Sequence, residues 1–247
     1  MYPGSDVRAV ERALVAYYEQ EASDRAKRPI DPQRVGARTR FITQLDGRRP
    51  RVLEVGVGPG RDAASFVAEG IPVVGVDLSV EHAQRASSTG AQAVVATVRR
   101  LPFGTSAFAA LWTMSTLMHV PNEAITDALV ELRRVLAPGA LAAVGVWGGP
   151  DVEHHRGIDD FDPPRFFSLR SDERWQSLLS TLGSVEDFES WGSARQRLLV
   201  PVGHRPNGLT TAPTIATDAH ARQPGRHQTG RWVTHGRSGL SRVWRQW

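Results

Sequence analysis

The stretch Val52–Gly60 reads VLEVGVGPG, and the apolar run IPVVGV that follows it ends on Asp77. A buried strand, a tight glycine turn, a helix and a second strand closed by a carboxylate form the opening unit of a parallel α/β sheet. The turn lets backbone amides approach a ligand, and the carboxylate accepts from ribose hydroxyls. An adenosine-containing cofactor is therefore expected at this end of the sheet. Dinucleotide-binding turns follow G-x-G-x-x-G, whose third glycine permits close helix–strand packing. Here the glycines are Gly56, Gly58 and Gly60, and Arg61 stands where that third glycine would be.

The apolar runs after Arg51 keep a βαβ rhythm. Val52–Val55, Pro72–Asp77, Ala93–Ala96, Phe108–Met114 and Leu141–Trp147 read as five strands, continuously apolar as in a parallel sheet covered on both faces. Asp62–Glu69 reads as a helix, and Ser79 caps another that runs to about Ser88. Pro121 is expected to open a helix with Asn122 and Glu123 in its first turn, Arg133 and Arg134 in its last, and Pro138-Gly139 at its end. Upstream, Val7–Tyr18 carries one apolar helical face, and Arg34–Leu45 reads as a second helix beyond Pro29 and Pro32. Downstream, the segment from Gly148 to Ser168 is too polar and proline-broken for an element and reads as a long loop at a strand end, where substrate contacts are common. Ser171 then caps a helix to about Leu182, and Val185–Trp191 with Arg195–Val202 reads as a closing antiparallel pair. The expected fold is α/β: a Rossmann-like, mostly parallel sheet with helices on both faces, an N-terminal helical lid and antiparallel closing strands. The expected organisation is one domain over 1–202, with the lid at 1–47 and the core at 48–202, followed by a tail.

That tail, 203–247, holds seven arginines against Asp218 alone. Of the chain's net charge of +4 it carries +6, which leaves residues 1–202 mildly acidic. It lacks a dense basic block and apolar periodicity, and reads as a solvated, disordered segment. Its composition is also that of GC-rich coding DNA read in a shifted frame, which resequencing the locus tests. The chain has no cysteine, which excludes disulfides, thiolate zinc sites and a cysteine nucleophile. The N-terminus lacks the pattern of a signal peptide, and no apolar run approaches the ~20 residues of a membrane span. A cytoplasmic protein without membrane contact is expected.

The acidic residue and glycines Glu54, Gly56, Gly58 and Gly60, with LPFGTSAFAALWTMSTLMHVP (101–121), ELRRVLAPGA (131–140) and FFSLRSDERWQSLL (166–179), resemble the ordered motifs of class I S-adenosylmethionine-dependent methyltransferases. The similarity is to the small-molecule group that includes the ubiquinone and menaquinone methyltransferases. It covers about residues 50–190. The resemblance implies S-adenosylmethionine as cofactor and a small-molecule methyl acceptor. It implies that Glu54 helps hold the methionine amino group and that Gly56, Val57, Gly58 and Gly60 wrap the methionine and sulfonium. It further implies that Asp77 accepts from the ribose, that Leu78 lies against adenine with Thr97 and Val98 lining its other face, and that Trp112 and Thr113 sit near the transferred methyl. Two positions depart from the pattern. The stretch Ala96-Thr97-Val98-Arg99-Arg100 lacks the carboxylate many relatives use for the adenine amino group, and Ala109 replaces the usual aspartate after Phe108.

Methyl transfer from a sulfonium needs alignment above all, so no universal catalytic residue is expected. His119 is one base candidate, equally a packing residue at a helix start. His154 and His155, with Asp159, Asp160 and Asp162, match no metal-ligand signature, and no metal is expected. Phe161, Phe166 and Phe167 either wall an acceptor pocket or pin the loop. Tyr17 and Tyr18 either close over the ligand or join the core. Two other readings compete: a non-catalytic methyltransferase-like binding protein and, against Arg61 and the later motifs, an NAD(P)-dependent dehydrogenase. Nucleic acid is disfavoured as a substrate, because Thr113-Met114-Ser115-Thr116 stands where an Asn/Asp-Pro-Pro-aromatic motif would follow the fourth strand.

Overall fold

The computed structural model describes residues 6–156, 161–191 and 196–203. All lie in the first of two compact units, Met1–Asn207; the second, Gly208–Trp247, lies outside the described residues, as does the expected disordered tail beyond Gly203.

The chain opens with α1 (Val7–Lys27) and α2 (Pro32–Gln44), capped by Asp6 and Asp31. Helix α1 outruns its apolar stripe by two turns and more. Its second half buries Glu21, which pairs with Arg25 at 2.5 Å and Arg28 at 2.6 Å. Burial carried by an ion pair leaves no hydropathy signal, which is why the periodicity ends early.

The core then alternates: β1 (Val52–Val55), α3 (Arg61–Ala68), β2 (Val73–Asp77), α4 (Val80–Ser87), β3 (Gln92–Val95), β4 (Phe108–Met114), a 3-10 turn (Leu117–His119), α5 (Ile125–Val135) and β5 (Leu136–Trp147). After β6 (Val152–Arg156), β7 (Arg165–Leu169) and α6 (Asp172–Leu179) come β8 (Ser184–Trp191) and β9 (Gln196–Gly203). The main sheet has the order β3-β2-β1-β4-β5-β9-β8; the first five strands are parallel, and β9 runs antiparallel to both its neighbours. This is the Rossmann-like sheet expected, with the closing pair in place.

Alternate strand residues face opposite layers. Val52, Val73, Ala110 and Trp112 pack with Phe41 of α2 and Phe66 of α3, whereas Leu53, Val74, Leu111 and Val144 pack with Leu129 of α5 and Trp175 of α6. Strands β1 and β2 are buried on both faces and β4 at every position but Ala109, so these strands read as unbroken apolar runs, whereas β3 at the edge is half exposed.

Three expectations need correction. Helix α5 begins at Ile125, because the Pro121 carbonyl accepts from Ala124 N and Ile125 N and closes a separate turn. Asn122 is held in that turn from outside: its amide donates to Glu153 at 2.6 Å, and its side chain accepts from Arg170. Pro138-Gly139 does not end α5; the helix stops at Val135, and the pair forms a bulge inside β5, where the register with β4 jumps from Leu136 to Leu141. The segment 148–168 is not a structureless loop, since β6 and β7 pair antiparallel across it. That hairpin buries Arg165 and Ser168, with Ser168 donating to Glu153 at 2.8 Å. Ser168 and Glu153 satisfy one another there, a burial that hydropathy alone does not show.

Candidate cofactor site

Strands β1, β2 and β4 end on the same edge of the sheet, and a cavity opens there beneath α1. Its floor is the turn after β1. Gly56 lies at φ +71°, and a Cβ on it would collide with the Thr116 hydroxyl, which donates to the Val55 carbonyl at 3.1 Å. Gly60 lies at φ +81° against Ala86 of α4, where a Cβ would stand 2.7 Å from that residue's Cα. Helix α3 thus starts close against α4 without a glycine at position 61, and the Arg61 side chain lines the cavity. It donates to the Arg28 carbonyl at 2.7 Å.

Asp77 closes β2 and takes both oxygens into this turn. Oδ2 accepts from Gly58 N at 2.8 Å and Oδ1 from Ser79 N at 3.0 Å. His82, buried on the first turn of α4, brings Nδ1 to 3.4 Å from Oδ1, and its Nε2 has no hydrogen-bond partner among the described residues. Gly56, Val57, Gly58, Asp77, Leu78, Thr97 and Val98 all line the cavity.

Glu54, Gly60, Thr113 and Trp112 lie outside that lining. Glu54 is buried on the α2/α3 face with Oε2 unpartnered. Burial, with Asp62 and Asp77 nearby, pushes its carboxyl well above the ordinary range, against the pull of Arg34 and Arg38. Thr113 is fully buried with its hydroxyl unpartnered. Trp112 turns into the core instead: its indole packs against Phe41 and Phe66 and donates to Asp62 at 2.9 Å.

Sequence reasoning placed a lid here and offered Tyr18 as a closing residue, but it missed the lid's other cavity residues, Glu11, Arg25 and Arg34 among them. Val7, Glu11, Leu14, Tyr18 and Arg25 of α1 face the cavity, joined by Arg34 of α2. A glutamate inside a stripe otherwise built of Val, Leu and Tyr was the available signal. Of the two tyrosines, Tyr17 is core, whereas the Tyr18 hydroxyl meets His119 Nε2 at 2.9 Å. His119 Nδ1 lies 2.6 Å from the Phe166 carbonyl, an acceptor only, so Nδ1 carries the proton and Tyr18 donates to Nε2. Phe166 packs with Val10 and Leu14, so the β6–β7 hairpin supports the lid. Phe167 stacks on Trp147 and His154, and Phe161 sets its edge against Tyr17. Among the described residues, no three His, Asp or Glu side chains are placed to hold a metal ion, and no helix is long and apolar enough to cross a membrane.

Burial depresses His119 to about 3, against the partial support of the Phe166 carbonyl. With its lone pair already taken by Tyr18, it is no general base in this arrangement. Unfolding restores the ordinary value of 6.5, so the stability it contributes by staying neutral is present above that pH and is lost as pH falls toward about 3. At pH 5 the loss is about 2 kcal/mol relative to pH 8. Urea unfolding at both pH values is expected to show this difference, and His119→Asn to flatten it; an unchanged slope in the variant would refute the assignment.

A sheet of this order, with a glycine turn after its first parallel strand and a carboxylate closing the second, defines an α/β protein built to hold a nucleoside-containing ligand. Residues 52–139 match the family model described as a methyltransferase domain. An "uncharacterized methyltransferase" of Mycobacterium sp. (strain KMS) is 35% identical over 114 residues, 44% of each chain. The chain thus matches less than half the length of that curated relative. Among solved structures, the 1,6-didemethyltoxoflavin-N1-methyltransferase of Burkholderia thailandensis, with bound S-adenosylhomocysteine, superposes with TM-score 0.66 at 20% identity, covering 83% of this chain and 92% of that one. The [4+2]-cyclase SpnF superposes with TM-score 0.55 at 16% identity, covering 69% and 82%. The shared fold therefore does not by itself specify the reaction.

Proposed function

We propose that the chain is an S-adenosylmethionine-dependent methyltransferase acting on a small molecule. The observation that carries this is the order of charge around the cavity. Arg25, Arg34 and Arg61 stand at the glycine turn, Asp77 in the middle, and Glu11 with Thr97 beyond β3. A cofactor with a carboxylate at one end, two ribose hydroxyls at the centre and an amino-purine at the other fits that order.

The residues present suit the group. Gly56, Val57 and Gly58 leave room for the methionine tail beside β1, and Gly60 sets the start of α3. Arg61 is held down to about 10 by burial and by its neighbours Arg34 and Arg25, an environment that an added carboxylate relieves. Glu54 keeps Oε2 unpartnered on the β1 side of the turn, and an added ammonium would favour the ionised carboxylate that burial otherwise opposes; the hydroxyl of Thr113, next to the last residue of β4, is unpartnered as well. Asp77 and His82 face the ribose, and Leu78 and Val98 give apolar faces for the base. When bound, S-adenosylmethionine supplies an electrophilic methyl that a nucleophile displaces in line. The protein's own work is alignment and exclusion of water, for which α1 and the β6–β7 hairpin form the cover.

Equilibrium binding of S-adenosylhomocysteine is the first test, with micromolar affinity expected. No binding at millimolar ligand ends the reading, and tighter binding in an NADH titration favours a dehydrogenase. SpnF motivates a further arm: cofactor binding without methyl transfer across a broad acceptor panel supports a non-catalytic or repurposed protein.

A further inference from the structure

We infer that Glu11, on the lid helix α1, is the hydrogen-bond acceptor for the exocyclic amino group of the cofactor's adenine, so that the lid itself reads the base. The inference rests on the cavity being the S-adenosylmethionine site. Among the described residues lining the cavity, Glu11 and Asp77 are the carboxylates. Asp77, at the end of β2 beside Gly58 and Ser79, stands at the ribose position of the proposed site, one strand short of the base. Glu11 reaches the wall beyond β3, where its Oε1 accepts from the Thr97 hydroxyl at 2.6 Å and from Arg99 Nε at 3.0 Å. Its Oε2 accepts from Arg99 Nη2 at 2.9 Å. The two oxygens of a carboxylate offer about four acceptor sites, so Oε2 keeps capacity for another donor.

The placement follows from the sheet. The glycine turn, Asp77 and Thr97 follow β1, β2 and β3, three neighbouring parallel strands about 4.8 Å apart. A nucleoside with its ribose at Asp77 and its tail over the glycine turn directs its base toward Thr97. The stretch 96–100 contains no carboxylate of its own. The carboxylate at that place comes instead from 86 positions earlier in the chain. Arg99 fixes its orientation from outside, in a pair that is only a quarter exposed or less on the Glu11 side. A carboxylate there favours a ligand edge that donates, as the amino group of adenine does. It disfavours the carbonyl of hypoxanthine, which sets oxygen lone pairs against oxygen lone pairs.

The test is isothermal titration of the full chain with S-adenosylhomocysteine and with S-inosylhomocysteine, which carries a carbonyl in place of the amino group. The wild type is expected to prefer the adenine ligand by roughly tenfold or more. Glu11→Ala is expected to bring the two affinities within about threefold, and Glu11→Gln, whose amide can also donate, to do the same or invert the order. Glu11→Gln keeps the size of the side chain and decides the matter if the alanine variant fails to fold by circular dichroism. A Glu11 that merely latches the lid lowers both affinities equally, and an unchanged ratio overturns the proposal, as does a wild type without preference. A wild type that binds neither ligand removes the cofactor reading and this inference together, whereas tight binding with an unaltered ratio removes this inference alone.

Discussion

Asp62→Ala is expected to lower the unfolding free energy by about 3 kcal/mol. Asp62 lies on the first turn of α3 with its carboxylate fully buried. Its Oδ2 accepts from Arg34 at 2.5 Å and from the Trp112 indole at 2.9 Å, and its Oδ1 accepts from Arg38 at 2.5 Å. One carboxylate thereby ties the lid helix α2, the helix behind the glycine turn and the centre of β4. Removing it strands an indole N–H and leaves two guanidinium groups, only partly reachable by water, without their counter-charge. Asp62→Asn keeps an acceptor for Trp112 and is expected to fall between the alanine variant and wild type in urea unfolding. A loss below about 1 kcal/mol for alanine would mean that Arg34 and Arg38 find water or other partners at little cost. Burial pushes the Asp62 carboxyl up, but Arg34, Trp112 and Arg38 outweigh it and hold the carboxyl below its ordinary value. Its contribution is therefore complete above the unfolded value of 3.8 and is lost as pH falls through the lower folded value. Acid unfolding should accordingly shift to higher pH in Asp62→Ala.

The second large effect is on binding. Asp77→Ala is expected to weaken S-adenosylhomocysteine by about a hundredfold or more. Two losses combine. In the proposed site the ribose loses its charged acceptor, and Gly58 N and Ser79 N lose the carboxylate that holds the turn and the start of α4 in register. Asp77→Asn preserves shape and one acceptor oxygen, and roughly a tenfold loss is expected for it. Calorimetry on both variants checks this. Affinity within threefold of wild type in the alanine variant would show that the ribose is held elsewhere, with His82 the next residue to change.

The legible parts of this molecule share one physical property: their burial is apolar. The strands β1, β2 and β4, the glycine turn and the Ser79 and Ser171 caps follow from runs and local motifs whose partners lie a few residues away. The illegible parts are buried through ion pairs and hydrogen bonds. Glu21 with Arg25 and Arg28 extends α1, Glu153 with Ser168 and Asn122 organises the hairpin, and Asp62 with Arg34 and Arg38 joins lid to core. Each of these residues reads as a surface polar group when taken alone. Trp112 shows the same limit from the other side: its strand position was legible, but the direction of its indole depended on an aspartate 50 positions away.

The sequence by itself determined the parallel sheet, the glycine turn at Gly56–Gly60 and the carboxylate at Asp77, because these rest on local backbone geometry and on hydrophobic periodicity. Only the tertiary structure decided how the cavity above them is closed. The pairing of Glu11 with Thr97 and Arg99, of Tyr18 with His119, and of His119 with the Phe166 carbonyl joins segments far apart in the chain. Such contacts form between polar groups whose partners no spacing rule specifies, and they exist only once the sheet has brought its strand ends to one edge.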